Sequence, residues 1–252
     1  MTEVAQKKVA SALAPLQLSG EHHLCPGCGH PVAWRILLEA ISELGLEQRA
    51  IGVVGHGCYT NIVQLADIDF LQCLHGRAPA VATGVKRVHP EAAVFTLQGD
   101  GDVASEGLAE VLHTAARAER ITTIMLNNGV FGDTGGQMTA ASVVGQRTKT
   151  SLDGRDAETH GHPVPVAELV AALAGSAYVA RGSVNNAGSI AKSKRYLKRA
   201  LELSAAGAGF TFVEILTMCP TGWFLPTAEG PGYLEGTFEQ TYPLGVLKDG
   251  PR

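Results

Sequence analysis

Residues 93–102 read AVFTLQGDGD, an apolar run followed at once by a glycine-rich acidic turn, Gly99-Asp100-Gly101-Asp102. The run Ala93–Leu97 predicts a buried strand, and a helix is predicted to begin just after the turn, near Ser105. A strand, a glycine-rich turn and a helix in this order are typical of an α/β fold. We therefore expect a parallel sheet with helices on both faces and this turn at the carboxyl edge of the sheet.

A second turn supplies oxygen ligands to match the first. Asn127-Asn128-Gly129-Val130 follows the predicted strand Ile121–Leu126. Mg²⁺ takes oxygen ligands in an octahedron and commonly bridges to phosphate. The Asp100 carboxylate, the Asn128 amide and the Val130 carbonyl offer three such ligands, and the glycines let a diphosphate approach the backbone. Each turn alone is a common loop, but together they have the spacing of the thiamine diphosphate (ThDP) motif and predict ThDP and Mg²⁺ as cofactors.

Composition excludes several classes of protein. The chain has 252 residues, of which 45% are hydrophobic and 17% charged, enough for one α/β domain over residues 21–252 after an extension over residues 1–20. A net charge of −4 argues against a nucleic-acid partner. No apolar run approaches the roughly 18 residues of a membrane span, and the polar start argues against a signal peptide. We therefore expect a cytoplasmic protein whose cysteines are thiols or metal ligands.

Four of the five cysteines have a placement that suits metal binding, two by their spacing and two because parallel strands would bring them to one sheet edge. Cys25 and Cys28 form a CxxC turn, and Cys58 and Cys219 each follow a predicted strand. Such a set can hold a [4Fe–4S] cluster or zinc, or it can comprise a CxxC redox pair with two bystanders. The ThDP motif favours the cluster, because an electron acceptor beside ThDP has a chemical use. Cys73 follows no predicted strand, and we interpret it as a small buried hydrophobic residue.

From about residue 22 to its end the chain resembles the ThDP-binding β subunits of 2-oxoacid:ferredoxin oxidoreductases. The resemblance is carried by seven motifs in order: His23–His30 (HLCPGCGH), Gly55–Cys58 (GHGC), His75–Gly84 (HGRAPAVATG), Gly99–Asp102 (GDGD), Asn127–Asn128, Thr134–Gln137 (TGGQ) and Cys219–Trp223 (CPTGW). It implies an enzyme that oxidatively decarboxylates a 2-oxo acid to an acyl-CoA. The electrons would pass one at a time to ferredoxin or a similar acceptor.

The resemblance also implies roles for individual residues. The [4Fe–4S] ligands would be Cys25, Cys28, Cys58 and Cys219, and the Mg²⁺ ligands Asp100, Asn128 and the Val130 carbonyl. The residues expected to contact ThDP further include Gly57, Cys58, Tyr59, Gly99, Gly101, Asp102, Gly132 and Thr134. His75 and Arg77 would lie near the thiazolium and the substrate carboxylate. Without the resemblance, His75 is interpreted as a core histidine and Arg77 as a surface ion pair.

The sequence lacks an obvious glutamate to activate the aminopyrimidine of ThDP. The resemblance implies that an α subunit supplies this glutamate with the pyrimidine-end domain, that a further ferredoxin-like subunit takes part, and that CoA binds elsewhere. Asn61 stands where relatives acting on 2-oxoglutarate carry a basic residue, so we favour a 2-oxo acid with an apolar side chain, branched or aromatic. Two rival hypotheses stay open: a non-redox ThDP decarboxylase subunit and a zinc-stapled structural subunit.

Overall fold

A computed structural model describes residues 19–250 of the chain. The predicted extension over residues 1–20 lies outside these residues except for its last two. The strands are β1 Ala50–Val54, β2 Asp69–Gln72, β3 Ala93–Gly99, β4 Thr122–Asn127, β5 Val130–Phe131, β6 Gln137–Met138, β7 Ser176–Ser183, β8 Phe210–Leu216 and β9 Gly245–Asp249. Strands β5 and β6 pair only with each other, as a short antiparallel hairpin.

Helices connect most of the strands. The α-helices are α1 His30–Glu43, α2 Ala78–Val88, α3 Leu108–Ala116, α4 Ala157–His160, α5 Val166–Ala172, α6 Ala187–Ala205, α7 Pro220–Trp223, α8 Gly230–Tyr233 and α9 Glu239–Thr241. Shorter 3₁₀ or π turns cover Glu47–Arg49, Cys58–Leu65, Gly101–Glu106, Thr227–Glu229 and Leu234–Phe238. Helix α1 has proline in its first turn, where the missing N–H costs nothing. It ends before Gly45, whose positive φ of 63° suits the residue after a helix.

The main sheet has the strand order β2-β1-β3-β4-β8-β7-β9. The first six strands in this order are parallel, and only β9 runs antiparallel, along the edge strand β7. The prediction of a parallel sheet with helices on both faces is therefore confirmed. Because the carboxyl ends of parallel strands share one edge, the turns after β1, β3, β4 and β8 meet there.

Successive side chains of the central strands feed two cores on opposite faces of the sheet. In β3, Phe95 and Leu97 pack in the core that α1 and α6 cover. Val94 packs in the other core, beneath α2, α3 and α5. All three side chains are almost fully buried. The sheet edge that carries the motifs is therefore held from both sides by packed helices.

Three sequence expectations are corrected by the structure. Strand β2, Asp69–Gln72, was not predicted, and Cys73 directly follows it, half-buried, with its thiol donating to the Val54 carbonyl at 3.3 Å. The helix expected from Ser105 begins later, at Leu108, after a π turn. The proline- and glycine-rich sequence of residues 219–252 predicts an irregular tail, but its described part contains short helices and strand β9. Within residues 19–250, no helix combines the length and apolar character needed to cross a membrane.

Candidate functional site

A cavity of about 330 Å³ lies at the carboxyl ends of β1 to β4. Every residue expected to contact ThDP lines it: Gly57, Cys58, Tyr59, Gly99, Asp100, Gly101, Asp102, Asn128, Val130, Gly132 and Thr134. His75 also lines it, together with residues to which no role was given, among them His30, His56, Cys73, Phe131 and Asp133. We call it the carboxylate cavity, after Asp100. The structure thus brings the predicted contacts together, while their role in binding stays a prediction.

Asp100 is buried without a cationic partner among residues 19–250. The Asn128 backbone N–H donates to its Oδ1 at 3.3 Å, and the Thr139 hydroxyl donates to its Oδ2 at 2.5 Å. Burial raises the pKa of Asp100 to about 7, and these two hydrogen bonds only partly oppose that rise. A carboxylate in this setting is well suited to a cation supplied from outside the chain. Sequence reasoning missed Thr139, which lies in the long loop after β4.

Asp102 is equally buried, yet its oxygens already have partners within the chain. The Tyr59 hydroxyl donates to Oδ2 at 2.5 Å and the His56 N–H donates to the same oxygen at 3.2 Å. The Gly76 N–H donates to Oδ1. A Cβ at Gly55 would overlap this carboxylate, so the turn after β1 requires glycine there. Asp102 therefore ties three segments of the cavity wall together, and its contact with the cofactor stays a prediction.

The asparagine turn after β4 is held on several sides. The Asn127 amide donates to the buried Glu214 carboxylate at 2.7 Å, and its oxygen accepts from the Gly129 N–H at 3.1 Å. Asn128 uses its side-chain oxygen to accept from the Val130 N–H at 3.1 Å. Gly129 has a φ of 67°, and a Cβ there would press against Gln146. The position of the predicted Mg²⁺ ligand Asn128 is therefore set by several contacts rather than by a flexible loop.

A second cavity, of about 460 Å³, is lined by Cys25, Cys28, Cys58 and Cys219. We call it the thiol cavity. The Gly29 N–H donates to the Met218 carbonyl at 2.9 Å, which joins the CxxC turn to the segment that carries Cys219. A Cβ at Gly132 would lie 3.3 Å from the Cys58 sulfur and 3.9 Å from the Cys219 sulfur. Four cysteines from three distant segments therefore face one space.

Burial governs the chemistry of three of these thiols. It raises the pKa of Cys28 and Cys58 to about 12 and that of Cys219 to about 11, and the neighbouring thiols add to the rise. Such thiols become thiolates only when a metal centre compensates their charge. Among residues 19–250, no three His, Cys, Asp or Glu side chains converge closely enough to enclose a single ion. The thiol cavity thus offers four sulfur donors around one space.

The two cavities share part of their walls. The residues that line both are His30, Cys58, Asn128, Gly132 and Asp133. His30 is almost completely buried, which lowers its pKa to about 4 and keeps the imidazole neutral. A group held by Asp100 and a group held by the four cysteines would therefore lie side by side. The sequence placed both sets of residues at one sheet edge, but the shared wall is visible only in the structure.

The two residues proposed as catalytic have different surroundings. The His75 ring lies in the carboxylate cavity, 5.7 Å from the Phe131 ring and 6.2 Å from the His56 ring between centroids. Arg77 is not part of the cavity wall: its guanidinium pairs with Glu110 and donates to the Glu106 carbonyl at 3.2 Å. In the chain by itself, Arg77 therefore forms the surface ion pair that is expected without the family resemblance.

His56 is a second histidine of the cavity, and the sequence analysis gave it no role. Its Nε2 lies 3.5 Å from the Asp133 carboxylate. The position of His56 between β1 and Cys58 could have predicted that it lines the cavity, because residues at the carboxyl end of a parallel strand face the site.

Comparison with known proteins agrees with this geometry. Residues 55–215 match the family model "Thiamine pyrophosphate enzyme, C-terminal TPP binding domain". The ketoisovalerate oxidoreductase subunit VorA of Methanothermobacter thermautotrophicus is 37% identical over 227 residues, 90% of this chain and 48% of that protein. The 2-oxoglutarate synthase subunit KorB of Archaeoglobus fulgidus is 32% identical over 216 residues, 86% of this chain and 76% of that protein. The chain spans about half the length of the VorA relatives it matches.

A solved structure shows the same architecture. The 2-oxoglutarate:ferredoxin oxidoreductase from Magnetococcus marinus, with 2-oxoglutarate, coenzyme A and succinyl-CoA bound, superposes with a TM-score of 0.80 and 25% identity. The match covers 95% of this chain and 86% of that one. Fold, site and family model together define a thiamine diphosphate-binding domain. More particularly, the chain belongs to the family of 2-oxoacid oxidoreductase β subunits.

Proposed function

We propose that this chain is the ThDP-binding subunit of a 2-oxoacid oxidoreductase. The enzyme would convert a 2-oxo acid and CoA to an acyl-CoA and CO₂. Two electrons would leave through a [4Fe–4S] cluster, one at a time, to ferredoxin or a similar acceptor. One observation carries the proposal: a cavity suited to a cation and a cavity lined by four cysteines share a wall. A non-redox decarboxylase would have no use for the second cavity.

The carboxylate cavity fits Mg²⁺ and a diphosphate. The buried Asp100 carboxylate has no cationic side chain as a partner among residues 19–250, and we assign Asn128 and the Val130 carbonyl as the other protein ligands of Mg²⁺. Gly99 and Gly101 leave the backbone open to the diphosphate. When bound, ThDP supplies an electron sink for the carbanion left by loss of CO₂. The chain itself contributes the cation ligands, the rigid walls and the histidine at position 75.

The thiol cavity fits an iron–sulfur cluster better than zinc. A zinc ion would bind the four thiolates in a tetrahedron, but it could not accept electrons from a cofactor in the neighbouring cavity. A cluster with one cysteine per iron is larger and leaves its ligands farther apart. A zinc-stapled structural subunit is the second candidate, and metal analysis separates the two.

The remaining machinery belongs to partner subunits. Among residues 19–250, no glutamate lines either cavity, so we assign activation of the aminopyrimidine to a glutamate of an α subunit. A ferredoxin-like subunit would carry the electrons onward. The relatives' names describe subunits of larger enzymes, and the related Magnetococcus enzyme is described with CoA bound. We expect this chain to be inactive by itself.

The substrate is proposed to be a 2-oxo acid with an apolar side chain, branched or aromatic. Neither lysine nor arginine of the described residues lines the carboxylate cavity, so this chain offers no fixed cation for a second substrate carboxylate. Asn61 lines the thiol cavity instead. Val130, Phe131 and Leu74 provide apolar surface in the carboxylate cavity. The similarity to a subunit named for ketoisovalerate points in the same direction.

The first test is metal analysis and anaerobic spectroscopy of the chain purified with its partners. A brown protein with about four iron per chain supports the cluster, and one zinc without iron supports the structural subunit. CoA-dependent reduction of a viologen dye is then compared for 3-methyl-2-oxobutanoate, phenylpyruvate and 2-oxoglutarate. A clear preference for 2-oxoglutarate would contradict the proposed substrate class.

Variants separate the two cofactor sites. Asp100→Ala should abolish Mg²⁺-dependent ThDP binding and keep the iron. Cys219→Ser should lose or bleach the cluster. Cys73→Ser is the matched control, because Cys73 lines the carboxylate cavity but not the thiol cavity. A normal cluster spectrum in Cys219→Ser would remove that ligand from the proposal.

A further inference from the structure

His30 occupies the wall between the two cavities and has no role in the function proposed above. It is the first residue of α1, it is almost fully buried, and it lines both cavities. Its backbone N–H faces the Cys28 thiol and partly opposes the rise in the pKa of that thiol. Its side chain extends to Asn128, a predicted Mg²⁺ ligand. One residue therefore contacts a proposed ligand of each cofactor.

The hydrogen bonds settle which nitrogen of His30 carries the proton. The Val130 N–H donates to the Asn128 side-chain oxygen, so the NH₂ end of that amide is the end that faces His30. This NH₂ group lies 3.3 Å from His30 Nε2. Because an amide NH₂ can only donate, Nε2 accepts, and in the neutral imidazole the hydrogen resides on Nδ1. The Tyr59 ring meets the imidazole edge-on, with 6.2 Å between centroids.

Nδ1 of His30 is buried and has no hydrogen-bond partner among residues 19–250. The Thr217 hydroxyl is a second buried group without a partner. Gly29, which precedes His30, packs directly on Thr217, since a Cβ on Gly29 would lie 3.0 Å from the Thr217 Cβ. Two unmet polar groups thus flank the contact between the CxxC turn and the segment that leads to Cys219. Buried polar groups are normally satisfied, so unmet groups beside a ligand site indicate an acceptor that arrives with the ligand.

We propose that His30 is a positioning residue that joins the two cofactor sites. Its Nε2 accepts from the Asn128 amide and so keeps the amide oxygen available to Mg²⁺. Its Nδ1–H is the donor reserved for a sulfur atom of the cluster. The inference rests on the proposed function, since it requires Mg²⁺-ThDP in one cavity and an iron–sulfur cluster in the other. It deepens that function by assigning a hydrogen-bonded connection between them.

Three substitutions separate the two roles. In His30→Asn, the amide lies near the place of Nδ1 and keeps a donor there, but it does not reach Asn128. In His30→Gln, the amide lies near the place of Nε2 and keeps the acceptor for Asn128. His30→Leu keeps neither. All three replacement side chains are uncharged and similar in size. A general packing defect at position 30 would therefore affect all three variants alike.

The readouts are the Mg²⁺ dependence of ThDP binding, by calorimetry, and the cluster reduction potential, by electron paramagnetic resonance titration of the intact complex. Removing a residue that orients a metal ligand costs about 10- to 100-fold in metal affinity. We expect this loss in His30→Leu and His30→Asn, with near wild-type affinity in His30→Gln. Hydrogen bonds to sulfur stabilise the reduced cluster, so the potential should fall in His30→Leu and His30→Gln and be kept in His30→Asn.

The outcomes are distinguishable. A wild-type complex that contains iron and binds Mg²⁺-ThDP, together with a His30→Leu variant of unchanged affinity and potential, would overturn this inference alone. A parallel loss in all three variants would also overturn it, because it would mark a general packing role. A wild-type complex without iron, or without Mg²⁺-dependent ThDP binding, would overturn the proposed function and this inference with it.

Discussion

Two buried carboxylates of the sheet have opposite surroundings. Glu214 lies in the middle of β8 and is paired with Arg181 of β7, with 2.7 Å between the guanidinium Nε and the carboxylate. Asp100 follows β3, and within residues 19–250 its carboxylate accepts hydrogen bonds from uncharged groups, the Asn128 N–H and the Thr139 hydroxyl. Both side chains are almost fully removed from water. Among residues 19–250, the protein therefore supplies a counter-charge for Glu214 but none for Asp100.

The difference shows how a structural charge is distinguished from a ligand site. Burial alone would lower the pKa of Arg181, but Glu214 and Glu168 more than offset this effect and raise it. The pKa of Asp100, by contrast, rises to about 7 because burial is not compensated. Glu214 also accepts from Asn127, beside the predicted Mg²⁺ ligand. The paired Glu214 thus helps to hold the asparagine turn that lies beside Asp100.

The largest effect is expected from Arg181→Met. Breaking a buried ion pair by removing one partner costs about 3–5 kcal/mol, since the other charge stays buried and unpaired. The measurement is the free energy of unfolding in denaturant. The double variant Arg181→Met/Glu214→Gln removes the orphaned charge and should recover most of the loss. A double variant as unstable as the single one would show that lost packing, rather than charge, is responsible.

Asp100→Asn is expected to act in the opposite direction on the metal-free protein. It replaces an uncompensated buried charge with a neutral amide of the same shape and should raise the free energy of unfolding by about 1–3 kcal/mol. The same variant should lose Mg²⁺-dependent ThDP binding. Denaturation without magnesium and calorimetry with it measure the two effects. If the metal-free variant is destabilised, Asp100 is better satisfied in the protein than its contacts indicate.

The pH dependence of the metal-free protein provides a third test. The pKa of Asp100 is raised to about 7 in the folded state, so this group favours folding at low pH and loses that contribution as the pH rises. The loss takes place between about pH 4, the ordinary aspartate pKa, and about pH 7, and it amounts to about 1.4 kcal/mol for each pH unit within that window. The comparison is between the wild type and Asp100→Asn, which removes the group. Parallel pH profiles for the two proteins would contradict the assignment.

The smallest effect is expected from Glu168→Gln. Glu168 is the second carboxylate on Arg181, at 2.6 Å, but its side chain is 43% exposed. Solvent screening limits such a pair to about 0.5 kcal/mol. Thermal unfolding compared with Arg181→Met measures the contrast. A loss as large as that of Arg181→Met would show that Glu168, rather than Glu214, neutralises the guanidinium.

The sequence predicted those features that depend on local pattern. Each apolar strand and each glycine-rich turn of the α/β fold can be recognised from a few consecutive residues. The turns that follow parallel strands then lie at one edge of the sheet. Asp100, Asn128 and the four cysteines were therefore assigned to one edge. Strand β2 was missed, because Asp69–Gln72 is an edge strand without a clear alternation of apolar and polar residues.

Contacts between distant segments could not be predicted in this way. Thr139 reaches Asp100 from the long loop after β4, and Arg77 turns to Glu110 instead of lining the cavity. The sequence also gave no sign that the Asp102 oxygens accept hydrogen bonds from Tyr59 and from the backbone N–H groups of His56 and Gly76. Each of these outcomes depends on which side chains the packing of loops and helices brings within hydrogen-bond distance.

The sequence by itself determined which carboxylate, amide and thiol groups lie at the carboxyl edge of the sheet, because residue type and spacing decide which residues follow each strand. Only the tertiary structure decided which of these groups find a hydrogen-bond or ion-pair partner within the protein. Side-chain partners are chosen by packing among segments far apart in the chain, and no local pattern encodes them. For that reason the shared wall with His30, the unmet charge of Asp100 and the satisfied charge of Glu214 became visible only in the folded chain.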